Sequence, residues 1–93
     1  MEITVNGLLI PTAFSPDGDG VNDKFAIRGL NFFKEVNLIV FNTMGQEVFT
    51  DDNYQSNWTG TDNKGNILPN DTYYIIMKFD YTKEYKGYVV IKR

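Results

Sequence analysis

Thr72-Tyr73-Tyr74-Ile75-Ile76-Met77-Lys78-Phe79-Asp80-Tyr81 is the stretch whose reading decides the fold. Tyr73, Ile75, Met77, Phe79 and Tyr81 fall at every second position, opposite Thr72, Tyr74, Ile76, Lys78 and Asp80. Side chains alternate across a strand with a period of two, so this run predicts a strand with one face in the core. The pattern repeats at once. From Glu84 to Lys92, Tyr85, Gly87, Val89 and Ile91 oppose Lys86, Tyr88, Val90 and Lys92, and residues 80–84 join the two runs as a hairpin.

Toward the N-terminus, Val36 to Thr43 is apolar on both faces and predicts a central strand. Asn42 to Phe49 predicts a hairpin, with Gly45 left-handed in the turn and a return strand through Val48. Lys24 to Leu30 alternates, with Phe25 and Ile27 against Lys24, Ala26 and Arg28; residues 2–5 and 8–14 read as a first strand or a broken pair. Residues 51–57 are a polar loop. Trp58, just before the turn-rich Gly60 to Asn66, reads as a core plug, with a sugar-stacking platform as the alternative. No window places apolar residues at helical spacing between caps. The expectation is an all-β chain, a small antiparallel immunoglobulin-like β-sandwich of about seven strands. Residues 1–93 form one domain, residues 1–9 being either the end of a linker or the first strand. The last strand stops one residue before the end of the chain, which is therefore expected to be held in the sheet and displayed at one pole.

A chain of 93 residues buries roughly 60–65 per cent of its unfolded surface, enough for a core but not for a deep enclosed active site. The aromatic share of 15 per cent favours strands, and the apolar share of 42 per cent argues against disorder. The net charge of −3 provides no basic field for a phosphate backbone, so nucleic acid is excluded as a partner. The chain has no Cys and no His. Disulfides, thiolate metal sites, imidazole bases and Ser-His-Asp constellations are therefore ruled out within it. No run is long enough to span a membrane, and residues 1–10 lack the pattern of a signal peptide. The chain is then either cytosolic or a fragment whose targeting information lies elsewhere.

Pro11 to Asp23 (PTAFSPDGDGVND) is too rich in turn-formers for a helix or a central strand. Oxygen ligands at alternate positions with a Gly at the sharp bend are what a calcium loop needs. With Ser15 as position 1, Asp17 falls at 3, Asp19 at 5, Gly20 at 6, the Val21 carbonyl at 7 and Asp23 at 9. Position 12 is Ala26 where a bidentate Glu would stand. The alternative is a plain turn, since Asp-Gly pairs bend the chain without any ion.

Several of these segments together resemble a known family. They are Ile10 to Asp23, Val40 to Phe49, Trp58-Thr59-Gly60-Thr61-Asp62 and the closing Tyr85-Lys86-Gly87-Tyr88-Val89-Val90-Ile91-Lys92-Arg93. The resemblance is to the gliding-motility-associated C-terminal domain, the type B sorting domain of the type IX secretion system of Bacteroidota. It runs from about residue 10 to the end. Departures are Thr12 and Asp17 where the family usually has Asn, and Asn70-Asp71 where it has Asp-Gly; Asp71 is accordingly expected at a turn position with positive φ. The resemblance implies a terminal module that is recognised by the secretion machinery at the outer membrane after periplasmic folding. The module would carry N-terminal passenger domains to the cell surface or the medium, which also accounts for the absent signal peptide.

The leading expectation is thus a sorting and export module without chemistry of its own. Tyr85, Lys86, Tyr88, Lys92 and Arg93 are its candidate recognition surface; the alternative for Lys and Arg there is that they block edge-to-edge aggregation. A second reading is a calcium-stabilised adhesion or carbohydrate-binding module, using the Asp17, Asp19 and Asp23 loop and exposed aromatics such as Tyr54 or Trp58. An enzyme is the weakest reading: Asp51, Asp52 and Asp62 could supply a carboxylate pair, but all lie in segments that read as solvated.

Overall fold

The computed structural model describes residues 2–5, 7–18, 20, 22–80 and 83–93, and these form an all-β, small β-sandwich-like fold. Its strands are β1 (Glu2–Val5), β2 (Leu8–Pro11), β3 (Ala13–Phe14), β4 (Val36–Phe41), β5 (Glu47–Asp51), β6 (Asp71–Phe79) and β7 (Lys83–Ile91). A 3-10 turn, Leu30–Phe32, lies between β3 and β4. The larger sheet has the order β3-β7-β6-β4-β5, and β1 with β2 makes a separate two-stranded sheet.

Strand β6 is the centre, as its alternation requires. Tyr73, Ile75, Met77 and Phe79 are buried, and the strand pairs antiparallel with β4 on one side and with β7 on the other. Tyr81 lies outside the described residues. The register runs from Asp71↔Ile91 to Phe79↔Lys83 without a slip. A one-residue slip would turn Val89 and Ile91, both buried, out to water. Strand β4 is flanked on both sides, with Val36, Leu38 and Val40 inward. Gly45 is left-handed (φ 80°) in the turn before β5, and the return strand continues past Val48 to Asp51.

The second layer is only partly sheet. Phe25 and Ile27 point inward as their alternation predicts, but Lys24 to Leu30 is not a ladder strand. Its backbone is satisfied piecemeal. Leu9 and Arg28 exchange N–H···O bonds of 3.0 and 3.1 Å, and Ser56 Oγ accepts from Ile27 N–H (3.0 Å) and donates to the Ile27 carbonyl (3.1 Å). A hydroxyl here stands where a neighbouring strand would. One pairing departs from the all-antiparallel expectation: β3 lies parallel to β7, Ala13↔Val90 and Phe14↔Ile91. The chain leaves the β1–β2 hairpin and crosses to the edge of the larger sheet, so it enters in the same direction as β7. Asp71 is likewise not in a turn. It opens β6, and the described non-glycine residues with positive φ are Asn22, Ser56 and Asp80.

Trp58 plugs the core, 2 % exposed. Its ring centroid lies 5.4 Å from that of Phe14, 6.1 Å from Phe25 and 5.3 Å from Phe49, and its indole N–H donates to the Thr61 carbonyl at 2.7 Å. Tyr54, also 2 % exposed, sits beneath the polar loop. Its hydroxyl donates to the Phe25 carbonyl (2.5 Å) and accepts from Trp58 N–H (3.0 Å). Burial drives the phenol far above its ordinary pKa, against the pull of the Trp58 N–H. Neither of these two rings is therefore exposed to stack a sugar, contrary to the expectation for Tyr54 and to the platform alternative for Trp58.

Two turns share one construction. In Asn42-Thr43-Met44-Gly45-Gln46 the Asn42 side-chain oxygen accepts from Met44 and Gln46 N–H, both at 3.0 Å. In Asp62-Asn63-Lys64-Gly65-Asn66 the Asp62 carboxylate accepts from Lys64 and Asn66 N–H, both at 2.9 Å. Gly45 (φ 80°) and Gly65 (φ 90°) occupy the same left-handed slot. The bonds from Asn66, backbone then side chain, hold the Asp62 carboxyl below the usual range. Asp51 similarly accepts from Asn53 N–H at 2.9 Å. The acids considered for glycosidic chemistry, where described contacts exist, brace turns.

Candidate recognition surface

Strand β7 distributes its side chains over two faces, and this divides the residues expected to form the recognition surface. Lys86, Tyr88 and Lys92 are exposed. Tyr85 faces inward, half-buried against the core, and its ring lies over Gly87: a Cβ on Gly87 would collide with the phenol. Gly87 is therefore the residue that lets Tyr85 lie flat along the sheet. Burial, and then the neighbouring Tyr88, raise the Tyr85 pKa. Lys86 pairs with Glu84 at 3.4 Å in the open, an ion pair worth little on its own.

Arg93 is committed to the fold. Its guanidinium donates to the carbonyls of Leu68 and Gly60 (2.8 Å to Gly60), and its own N–H donates to Asn70 Oδ1 at 3.1 Å. Lys92 N–H donates to the Phe14 carbonyl at 3.1 Å. Gly60 is buried and left-handed (φ 80°), and a Cβ there would stand 2.8 Å from Arg93 Nη2 and 3.3 Å from Pro16 Cγ. Bidentate donation to two carbonyls suits the planar fork of arginine and would not be reproduced by lysine. A terminal basic residue reads as exposed in sequence; only the long-range approach of residues 60 and 68 shows otherwise.

The acidic loop lies at the same end of the molecule. Ser15 N–H donates to the Asn22 carbonyl at 2.8 Å, which closes the loop. Asp23 then receives Gly18 N–H on Oδ1 (3.0 Å) and Gly20 N–H on Oδ2 (2.7 Å). Desolvation pushes the Asp23 carboxyl upward, but these amides, with the Asp17 backbone and side chain, outweigh it and hold the carboxyl below its usual range. Asp19 and Val21, two of the expected calcium ligands, lie outside the described residues. Among the described residues no group of three acids could hold a metal ion. What is on view is a loop whose glycine amides are gathered by Asp23, with Ser15 and Asp17 beside it.

The outer face of the larger sheet was not singled out by sequence. Cross-strand pairs set Phe41 beside Tyr74 and Tyr74 beside Tyr88, in one row across β4, β6 and β7; Ile76 lies next to it, opposite Lys86. Tyr74 is 50 % and Tyr88 48 % exposed. The signal was present, since Tyr74 and Ile76 occupy the polar side of an otherwise strict alternation.

The two edges of that sheet are finished differently. On β5, the Asn63 side chain accepts from Thr50 N–H at 2.9 Å and donates to the Thr50 carbonyl at 2.8 Å, so one amide takes the place of a further strand. On β7, β3 covers only the last residues: Val90 N–H donates to the Thr12 carbonyl (2.9 Å) and Lys92 N–H to Phe14. Among the described residues no helix is long and apolar enough to cross a membrane.

No curated protein matches this chain. The family model of the CHU_C Type IX secretion signal domain matches residues 8–91, from the start of β2 to the end of β7.

Proposed function

The chain belongs to the CHU_C Type IX secretion signal domain family, and from that membership we propose that it is a C-terminal sorting module. In this reading it directs N-terminal passenger domains through the type IX machinery to the cell surface or the medium and performs no catalysis itself. The match along nearly the whole fold carries the proposal. A signal of this kind needs a stably folded scaffold and an accessible surface. Lys86, Tyr88 and Lys92 supply the surface, while Tyr85 and Arg93 hold the strand that displays them.

Delivery of a reporter fused to residues 1–93 in a type IX-competent host tests this reading. Truncation from Lys86 would not, because it removes Val89 and Ile91 from the core and measures folding instead. The informative variant is Lys86→Ala/Tyr88→Ala/Lys92→Ala. Exposed substitutions of this kind usually change stability by about 0.5 kcal/mol or less each. Surface delivery is expected to fall several-fold with little change in melting; full delivery would remove these side chains from the signal.

A structural calcium in the Ser15–Asp23 loop is a second component of the proposal. One observation favours it: the Asp17 side chain meets the Asp23 carboxylate in an exposed loop, so oxygen donors gather at one place there. Ser15, Asp17, Asp19, Asp23 and the Val21 carbonyl would be the ligands. An ion that binds only the native state stabilises it by about 2.7 kcal/mol at a hundredfold excess over Kd. The melting midpoint is therefore expected to rise in millimolar calcium and to fall with a chelator. Identical midpoints would leave closure of the loop to the Asp23 carboxylate alone.

A further inference from the structure

We propose that the open edge of β7 between Glu84 and Tyr88 is the docking site, where an extended segment of the secretion machinery adds to the larger sheet as a further strand. The inference rests on the export reading above and specifies how the signal is read. Val90 and Lys92 direct their N–H groups away from β6, toward β3. The β6–β7 register is unbroken, and in a regular ladder alternate residues face alternate edges. The backbone groups of Glu84, Lys86 and Tyr88 therefore point to the same outer edge. β3 stops short of them, and among the described residues no other backbone or side chain bonds to them.

An exposed strand edge is a template for pairing with another chain, and proteins ordinarily guard against it. This fold guards the opposite edge, where Asn63 occupies both polar groups of Thr50. Among the described residues, the open stretch of β7 has no such cap on its backbone, and the charged side chains of Glu84 and Lys86 stand beside it. The side chains along the edge define the occupant. Tyr88, continuous with Tyr74 and Phe41, offers an apolar shelf; Lys86 stands on the same face beside it, its side chain 71 % exposed and met only in the open by Glu84 at 3.4 Å. A strand carrying an apolar residue against Tyr88 and a carboxylate near Lys86 fits both. Main-chain bonds would supply the affinity in such an addition and the flanking side chains the choice of partner.

Lys86→Pro tests it. Proline deletes the Lys86 N–H, which faces away from β6, and is tolerated on an edge strand where that group faces solvent; Lys86→Ala removes only the side chain. With the reporter fusion in a type IX-competent host, the expected result is a tenfold or greater loss of surface delivery for Lys86→Pro and less than a threefold loss for Lys86→Ala. Equal delivery by Lys86→Pro and wild type would overturn strand addition and leave the export function standing. Failure of the wild-type fusion itself to reach the surface would overturn the export function and this inference with it. If Lys86→Pro does not fold, amide exchange on residues 1–93 decides. The Lys86 and Tyr88 N–H groups are expected to exchange quickly while Thr50 N–H is protected; protection of Lys86 and Tyr88 in the monomer would overturn the proposal. A dimer in sedimentation that protects the same amides would hand the edge to a second copy of the chain and would also overturn it.

Discussion

Trp58→Ala is expected to lower the unfolding free energy by about 3–5 kcal/mol, the range for emptying a large aromatic from a core. A native domain has only about 5–15 kcal/mol in hand, so this one change consumes a large part of the total. The reasons are specific. The indole touches Phe14 on β3, Phe25 on the irregular second layer and Phe49 on β5, so it joins three segments that share little backbone pairing. Its N–H also holds the Thr61 carbonyl at the start of the loop to which Arg93 is clamped. Urea denaturation followed by circular dichroism checks this, since the substitution removes the only tryptophan. A loss below about 1.5 kcal/mol, the size of a volume-conserving core swap, would mean that the ring is not the keystone described.

Tyr54→Phe is expected to cost about 2–4 kcal/mol although it deletes one oxygen. That oxygen serves two backbone groups, accepting from Trp58 N–H and donating to the Phe25 carbonyl. Without it both are left unsatisfied, and a buried orphan costs about 1–3 kcal/mol. Phe25 N–H donates in turn to the Trp58 carbonyl at 2.9 Å, so residues 25, 54 and 58 form one closed network. Tyr88→Phe is the control, with its ring half exposed; a change of about 0.5 kcal/mol or less is expected there. Equal effects at Tyr54 and Tyr88 would show that the hydroxyl bridge contributes nothing.

These two residues also mark how far the sequence could be read. β6 was legible because every second residue from Tyr73 to Phe79 is apolar, and β7 because Tyr85, Val89 and Ile91 keep the same period, which is a property of the strand itself. Trp58 was legible as a plug because a lone Trp rarely remains in water. Tyr54 was not: it sits in Asp51-Asp52-Asn53-Tyr54-Gln55-Ser56-Asn57, and its buried hydroxyl is satisfied by the Phe25 carbonyl, 29 residues away, as well as by the nearby Trp58 N–H. Lys24 to Leu30 had the right alternation for the wrong reason, since Phe25 and Ile27 are buried by a layer that is bonded through Ser56 and Tyr54 side chains. The parallel β3–β7 contact spans two residues, too short for any pattern.

The candidate site divides in the same way. The exposure of Lys86, Tyr88 and Lys92 follows from alternation, and sequence placed them correctly on one face. The inward turn of Tyr85 depends on Gly87 beneath its ring, and the capture of Arg93 depends on carbonyls 25 and 33 residues away. Long-range geometry of that kind leaves no local signature. The twin turns at Asn42–Gln46 and Asp62–Asn66 did leave one, an Asn or Asp followed by Gly three residues later and an amide side chain next to it.

The measurement that bears most directly on the central claim is surface delivery of one passenger reporter fused to residues 1–93, compared between a host with an intact type IX machinery and the same host without it. The reporter is expected outside the cell only in the first host, and retained in the periplasm in the second or when residues 1–93 are omitted. Delivery that is the same in both hosts would contradict it.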